Sequence, residues 1–234
     1  MDPGDRLVLG VDASSPRGSV ALAGPAGVVA EIGIDGLVSP SRRLLPSVRF
    51  LLETTAQTLA DLAGFAVTVG PGGFTGIRVG LATVRGLALA GGQPVAGVST
   101  LAALADAAGR PGERLAAWLD AGRGEVYAGL FAVDATPTRP PAPWGPECVA
   151  APATVLAGLP AGPLLFAGQG ALRHADLIAA RPAASGPSAL LPRTPFLAGA
   201  AARLGALALA AGAAAPAEPC YLRPPDALQA RSRG

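Results

Sequence analysis

Gly70-Pro71-Gly72-Gly73-Phe74-Thr75-Gly76-Ile77-Arg78 lies between a short apolar run and a longer amphipathic one. Ahead of it, the small and β-branched residues 65–69 predict a buried strand. Behind it, apolar residues at helical spacing predict a helix over about residues 75–90: Ile77, Leu81, Val84 and Ala88. Because glycine and proline favour tight turns, the stretch predicts a strand, a sharp turn and a helix.

This turn has three interpretations. Free backbone N–H groups at a helix start can bind an anion, so the turn could contact a nucleotide through Gly70, Gly72, Gly73 and Thr75. No Gly-Lys-Ser/Thr follows, however, and the chain contains no lysine, so it is not a P-loop. The plainest alternative is a turn needed only for packing. The third is that small residues along the helix allow close approach of a second helix.

The third interpretation selects one side of the helix over residues 75–90. Gly76, Gly80, Thr83 and Leu87 lie along it, and a glycine-lined side predicts a helical neighbour. An earlier helix, predicted over about residues 41–62, has its own apolar face. That face contains Leu44, Val48, Leu51 and Thr55.

The whole chain predicts two α/β units of similar order. Three strands joined by short turns are followed by alternating helices and strands, in the order β-β-β-α-β-α-β-α. The opening, residues 9–23, resembles residues 118–130: a strand, Asp-Ala, a short turn and an alternating strand. We therefore expect lobes over residues 1–109 and 110–234. In the second lobe we expect loops over 134–146 and 182–192 and helices over about 170–180 and 195–211.

Composition limits the classes of function. The net charge is +2 without a concentrated basic stretch, which is not typical of a nucleic-acid binder. No long run of strongly apolar residues is present, and the N-terminus does not have the pattern of a secretory signal. The two cysteines, Cys148 and Cys220, are too few for a disulfide framework. We expect a cytoplasmic protein that does not enter a membrane.

Catalytic groups are scarce. His174 is the only histidine, so neither a zinc site nor a Ser-His-Asp triad is readily assembled. Asp12 and Asp120 follow the first strands of the two units and are the residues of most interest. They could face a shared cleft, as the magnesium and phosphate site of an ATPase requires, or each could cap its own turn. No catalytic residue and no metal ligand are assigned.

Several motifs together resemble the TsaB (YeaZ) family. The central one is residues 70–80, with Gly73 where the family usually has serine. The others fall in order along the chain: Val11-Asp12-Ala13-Ser14, Gly97-Val98-Ser99-Thr100-Leu101, the run from Leu119 to Tyr127, and Glu218-Pro219-Cys220-Tyr221-Leu222-Arg223.

The resemblance implies an actin-like (ASKHA, ribonuclease-H-like) two-lobed fold and a non-catalytic accessory subunit. Members pair with the related TsaD enzyme and, with the ATPase TsaE, support transfer of a threonylcarbamoyl group to the adenosine beside the anticodon of ANN-decoding tRNAs. The expected partners are thus a TsaD-like paralogue and a TsaE-like ATPase, with tRNA reached only through the complex. A homodimer is expected when the paralogue is absent.

The family pairs through helices of the first lobe, which correspond here to residues 41–62 and 75–90. The resemblance therefore assigns partner binding to Leu44, Val48, Leu51, Thr55, Gly76, Arg78, Gly80, Thr83 and Leu87. No intrinsic cofactor is expected, but ATP or ADP at or near this surface stays open through Asp12 and the turn. One departure is Ser39-Pro40-Ser41, where the family often has a histidine.

An enzyme remains the alternative. An actin-like ATPase or kinase would place Asp12 at the phosphate and magnesium site and would show turnover. A protease is a weaker alternative because the sequence offers no catalytic constellation.

Overall fold

The computed structural model describes residues 7–24, 27–35, 39–134 and 139–223. The first sheet has the strand order β3-β2-β1-β4-β5. β1, β2 and β3 are antiparallel neighbours, whereas β4 and β5 run parallel to β1. Their bounds are Val8–Asp12 (β1), Gly18–Gly24 (β2), Gly27–Ile34 (β3), Gly64–Gly70 (β4) and Val95–Ser99 (β5).

The second sheet repeats this arrangement. Its order is β11-β10-β6-β7-β8, with β9 also paired to β7. β6 is antiparallel to β7 and parallel to β10, as β1 is to β2 and β4. The bounds are Arg114–Gly122 (β6), Glu125–Ala132 (β7), Ala142–Pro143 (β8), Cys148–Ala150 (β9), Leu164–Ala167 (β10) and Ser188–Leu190 (β11). The duplication and the actin-like fold expected from the sequence are confirmed.

Seven α-helices are present in the described residues. They are Pro40–Thr54 (α1), Phe74–Gly91 (α2), Thr100–Ala108 (α3), Pro152–Gly158 (α4), Gln169–Arg173 (α5), Ala175–Ala179 (α6) and Ala198–Ala210 (α7). Within that part of the chain, none of them is long and apolar enough to cross a bilayer.

Helices and sheets alternate in layers because successive strand residues point to opposite faces. α1 and α2 cover the outer face of the first sheet, where Leu9 and Val11 of β1 are buried. α3 and α7 lie between the sheets, in a core that also contains Leu115 and Leu119 of β6. Trp118 of β6 points the other way, into a core completed by residues of α4 and α6.

Two segments from the second half of the chain pack on the first lobe. α7 comes from the second half but packs on β1, β2 and β4 of the first sheet. Residues 215–223, which we call the C-terminal strap, run back over the first lobe. The strap begins beside β5, where Gly97 N–H donates to the Ala215 carbonyl at 2.9 Å, and ends where Arg223 donates to the Ala121 carbonyl at 2.8 Å. The proposed division at residues 109/110 stays a prediction.

Three expectations for individual elements were wrong. The helix expected over residues 41–62 ends at Thr54, and Ala56 adopts a positive φ of 52° that interrupts it before a 3-10 turn at Leu59–Asp61. The helix expected over residues 170–180 is broken at His174. The loop expected over residues 182–192 contains β11, a strand too short to give a clear alternating pattern. Residues 135–138 of the expected 134–146 loop lie outside the described residues.

Candidate functional site

The turn between β4 and α2 is held by two other parts of the chain. Gly73 precedes α2, and its N–H donates to the Ser14 carbonyl at 2.6 Å. Gly70 has a φ of 118°, and a Cβ there would lie 2.4 Å from the Cys220 carbonyl oxygen of the strap. Cys220 N–H donates to the Val69 carbonyl at 2.7 Å. The glycine at position 70 is therefore required by its conformation and by the strap that crosses it.

Asp12 is fully buried at the end of β1. Its Oδ1 accepts hydrogen bonds from Ser14 N–H at 3.0 Å, Ser14 Oγ at 2.6 Å and Thr68 Oγ1 at 2.7 Å. Its Oδ2 has no partner among the residues that the structure describes. Burial raises the pKa of this carboxyl above its usual value, although the hydrogen bonds from Ser14 and Thr68 oppose the shift. Asp12 thus caps its own turn, which is the plainer of the two sequence interpretations.

The raised pKa of Asp12 predicts a pH effect on stability. The folded state retains the proton to a higher pH than the unfolded state, so stability due to this group is lost as pH rises from about 4 through the folded pKa. We expect Asp12→Asn to lack that loss. Urea unfolding at several pH values should show the free energy of the unaltered chain falling relative to the variant as pH increases. A difference independent of pH would contradict this account.

Asp120 occupies a different environment. Its Oδ1 accepts a hydrogen bond from Gly122 N–H at 2.9 Å and its Oδ2 one from Arg173 Nη1 at 2.5 Å. Partial burial works against ionisation, but these two groups outweigh it and the pKa of Asp120 is lowered. The second-lobe carboxylate is therefore ionised at neutral pH and already paired with arginine.

A cleft of about 400 Å³ lies between the lobes. Gly72 and Gly73 of the central turn, Arg17, Asp120 and Gln169 are among its lining residues, whereas Asp12 is not. The two aspartates do not share this cleft.

The side chains of the cleft offer little for acid–base or metal chemistry. Arg17 donates to Asp35 and to the Thr194 carbonyl, and Asp120 is bound by Arg173. In the part of the chain that the structure describes, no three His, Cys, Asp or Glu side chains form a group suited to a metal ion. Among the described residues that line the cleft, Asp120 is the one carboxylate.

A second concave surface lies on the outer side of the first lobe, between α1 and α2. We call it the α1–α2 groove, with a volume of about 760 Å³. Its walls are mainly apolar, and Arg49 and Glu53 form an ion pair of 2.6 Å on α1. Its lining comprises Leu45, Pro46, Val48, Arg49, Phe50, Leu52, Glu53, Gln57, Leu59 and Leu87.

Large apolar side chains of α1 and α2 are exposed, and two of them, Leu45 and Phe50, line this groove. Leu45 and Phe50 of α1 are 51% and 60% exposed, and Leu89 of α2 is 86% exposed. Single exposed apolar residues are common, but two in the lining of one groove, such as Leu45 and Phe50, are typical of a binding surface. These three residues were not selected from the sequence, because the helical period marks the side that faces the core. A search for apolar residues on the side of each predicted helix that faces away from the core could have identified them.

Three of the predicted partner residues of α1 are buried in this chain, and their role in partner binding stays a prediction. Leu44, Val48 and Leu51 are at most 3% exposed and pack in the core beneath the helix. Their spacing is that of an amphipathic helix, and the sheet of the same chain already covers that face. Thr55 caps the helix end, since its Oγ1 donates to the Leu51 carbonyl at 2.7 Å.

The glycine-lined side of α2 also faces its own sheet. A Cβ at Gly76 would lie 1.9 Å from the Ala13 carbonyl oxygen, and one at Gly80 would lie 3.5 Å from Ala13 Cβ. The helical neighbour expected at these two glycines is instead the end of β1. Thr83 and Leu87 are half-buried, and Leu87 reaches the α1–α2 groove.

Gly86 on α2 differs from these two glycines. It is exposed, and a Cβ added there would meet nothing within 4 Å. Glycine inside a helix costs about 1 kcal/mol relative to alanine. The packing of this chain gives no reason for a glycine at position 86.

The remaining predicted contacts surround the start of α2. Thr75 is exposed there, and Arg78 stacks on Phe74, with 3.7 Å between the guanidinium carbon and the ring centre. Arg78 Nε also donates to Tyr221 Oη at 3.1 Å. Of the predicted nucleotide contacts, Gly72 and Gly73 reach the cleft, Gly70 is covered by the strap and Asp12 is buried. Nucleotide binding stays a prediction.

Comparison with known proteins identifies relatives of this fold and sequence. A family model described as "TsaD: tRNA N6-adenosine threonylcarbamoyltransferase" matches residues 39–182. The solved structure of YeaZ from Pseudomonas aeruginosa superposes with a TM-score of 0.79 at 32% identity, covering 93% of this chain and 100% of that one.

Two curated relatives match over shorter segments. The Escherichia coli tRNA threonylcarbamoyladenosine biosynthesis protein TsaB is 43% identical over 89 residues, which are 37% of this chain and 38% of that protein. The Bacillus subtilis protein of the same name is 35% identical over 125 residues, 53% of this chain and 54% of that protein. The matched segments thus span about half or less of these two relatives.

Proposed function

Because the chain belongs to the TsaB/YeaZ family, we propose that it acts in tRNA threonylcarbamoyladenosine biosynthesis as a non-catalytic subunit that binds and activates a TsaD-like transferase. The observation that carries this proposal is the α1–α2 groove with its exposed Leu45 and Phe50. These side chains contribute little to the chain's own core, and burying them against a partner would be favourable.

The chemistry of the surface fits a helical partner. Gly86 leaves the exposed side of α2 open to close approach, and the Arg49–Glu53 pair supplies polar groups on α1. A model of the transferase family matches residues 39–182 of this chain, a range that includes both helices. A partner of the same fold would present equivalent helices, so the two proteins could pair around a pseudo-two-fold axis. By the same geometry, two copies of this chain would pair when the transferase is absent.

Catalysis is assigned to the partner. Asp12 is buried away from the interlobe cleft, and Asp120 is paired with Arg173. In our proposal a TsaE-like ATPase joins the pair, tRNA is bound by the assembled complex in the cytoplasm, and ATP or ADP lies at or near the pairing surface.

Native mass spectrometry tests the proposal directly. The chain is mixed with the TsaD-like protein of the same genome, with and without ATP, and compared with each protein alone. We expect a one-to-one complex to replace any homodimer. Persistence of the two separate species under all conditions would contradict direct pairing.

An ATP-dependent enzyme predicts a different result. It would release phosphate in a magnesium-dependent reaction that Asp12→Asn abolishes. We expect no such release from this chain alone at high protein concentration. Turnover that depends on Asp12 would overturn the assignment of catalysis to the partner.

A further inference from the structure

A cavity of about 390 Å³ lies in the second lobe, away from the interlobe cleft and from the α1–α2 groove. Trp118 of β6 and Leu130 of β7 contribute to it from the sheet, and Val155 and Gly158 contribute from α4. Trp144 and Cys148 also line it, and both are exposed. A cavity of this volume is within the range of small-molecule sites.

The indole N–H of Trp118 has no acceptor in the described part of the chain. Trp118 is completely buried, and its ring packs edge-on against Phe166 with 5.5 Å between ring centres. Its Nε1 is buried without a hydrogen-bond partner. Buried tryptophan N–H groups usually find an acceptor, and an unpaired one is costly. Because Trp118 lines the cavity, an occupant of the cavity can supply that acceptor.

The other lining groups restrict the chemistry of the occupant. Among the described residues, no Asp, Glu, Arg or His lines the cavity, so a charged molecule would lose its hydration without compensation. Apart from the two indoles, Thr154 and Cys148 supply the only polar side-chain atoms of the lining. Trp144, Pro146 and Pro160 offer flat apolar surfaces suited to a ring.

We propose that this cavity is a binding site for a small, uncharged and mainly apolar molecule that carries a hydrogen-bond acceptor, which the Trp118 indole N–H binds. The site lies on the opposite side of the second sheet from α3 and α7. It is independent of the pairing function proposed above.

The two tryptophans of the chain give a direct readout. A nitrogen-15 labelled full-length chain has two indole signals, which Trp144→Phe assigns. Acetophenone and ethylbenzene serve as probes of similar size, of which only the first has a carbonyl acceptor. We expect acetophenone to move the Trp118 indole proton downfield and ethylbenzene to bind without that shift. No change in either signal up to the solubility limit of the probes would overturn the proposal.

Two variants distinguish the contribution of the cavity to probe binding from that of the Trp118 hydrogen bond. Trp118→Phe keeps a ring but removes the donor, and should weaken acetophenone about threefold to tenfold while changing ethylbenzene less than twofold. Gly158→Leu adds a side chain where a Cβ meets nothing within 4 Å, and should weaken both probes at least about tenfold by filling the cavity.

Gly86→Leu, at an equally open glycine outside the cavity, is the matched control and should bind both probes normally. If Trp118→Phe does not fold, probe binding by Gly158→Leu is compared with probe binding by Gly86→Leu to test the location of the site. Equal binding by these two variants would refute the location of the site. Equal binding of the two probes to the unaltered chain, with no downfield shift, would refute the role of the N–H.

Discussion

Gly86→Leu should leave the chain folded and remove most of the proposed pairing with a TsaD-like transferase. A leucine on the exposed side of α2 would hold a partner helix away from the close distance that glycine allows. Disruption at the centre of an interface commonly costs 2 kcal/mol or more, so we expect the dissociation constant to rise at least about thirtyfold. Titration calorimetry of the two purified proteins measures this directly.

The stability of the free Gly86→Leu variant shows whether a loss of pairing is due to misfolding. Because a side chain at position 86 meets nothing within 4 Å, the variant should be as stable as the unaltered chain or up to about 1 kcal/mol more stable. Gly158→Leu, in the second lobe, is the matched control and should pair normally. Normal pairing by a well-folded Gly86→Leu variant would remove α2 from the proposed surface, whatever the function of the protein.

Gly76→Ala, on the same helix, should have the largest effect on stability. The new Cβ would lie 1.9 Å from the Ala13 carbonyl oxygen, which is backbone at the end of β1 and cannot rotate away. Either α2 or β1 must move, and such overpacking typically costs up to about 3 kcal/mol or prevents folding. Urea unfolding should show a clearly lower midpoint.

Gly86→Ala is the control for that experiment because it makes the same substitution ten residues later in α2. There the alanine should stabilise the chain by up to about 1 kcal/mol, through helix propensity alone. Opposite signs for the two substitutions would separate the contact with Ala13 from propensity. Destabilisation of equal size at both positions would show that the close approach at Gly76 is not the cause.

Much of the fold could be predicted from local pattern. The glycines and Pro71 between residues 65–69 and the amphipathic run after them specified β4, the turn and α2 to within about one residue at each end. The match between residues 9–23 and 118–130 correctly indicated that the second sheet repeats the first. Hydrophobic period and turn residues act over a few positions, so they are legible in one sequence.

The residues of the candidate site could be predicted less well from local sequence pattern. Helical spacing selected Leu44, Val48 and Leu51 as an apolar face of α1. Spacing shows that such a face exists, but it does not show which part of the protein, or which partner, covers it. In this chain the first sheet covers that face, and the exposed apolar side chains, Leu45, Phe50 and Leu89, lie on other sides of α1 and α2. Likewise, the sequence does not distinguish the glycines at positions 76 and 86. The structure does, because a Cβ would clash with Ala13 at position 76 and would meet nothing within 4 Å at position 86.

The sequence by itself therefore determined the order of elements, the duplication and the family, because these depend on local propensity and on motifs. Tertiary structure alone decided that α7 packs on the first sheet, that Asp12 and Asp120 lie apart, and that Trp118 has an unpaired N–H beside a cavity. Each of these depends on contacts between segments distant in the chain, for which the local pattern carries no signal.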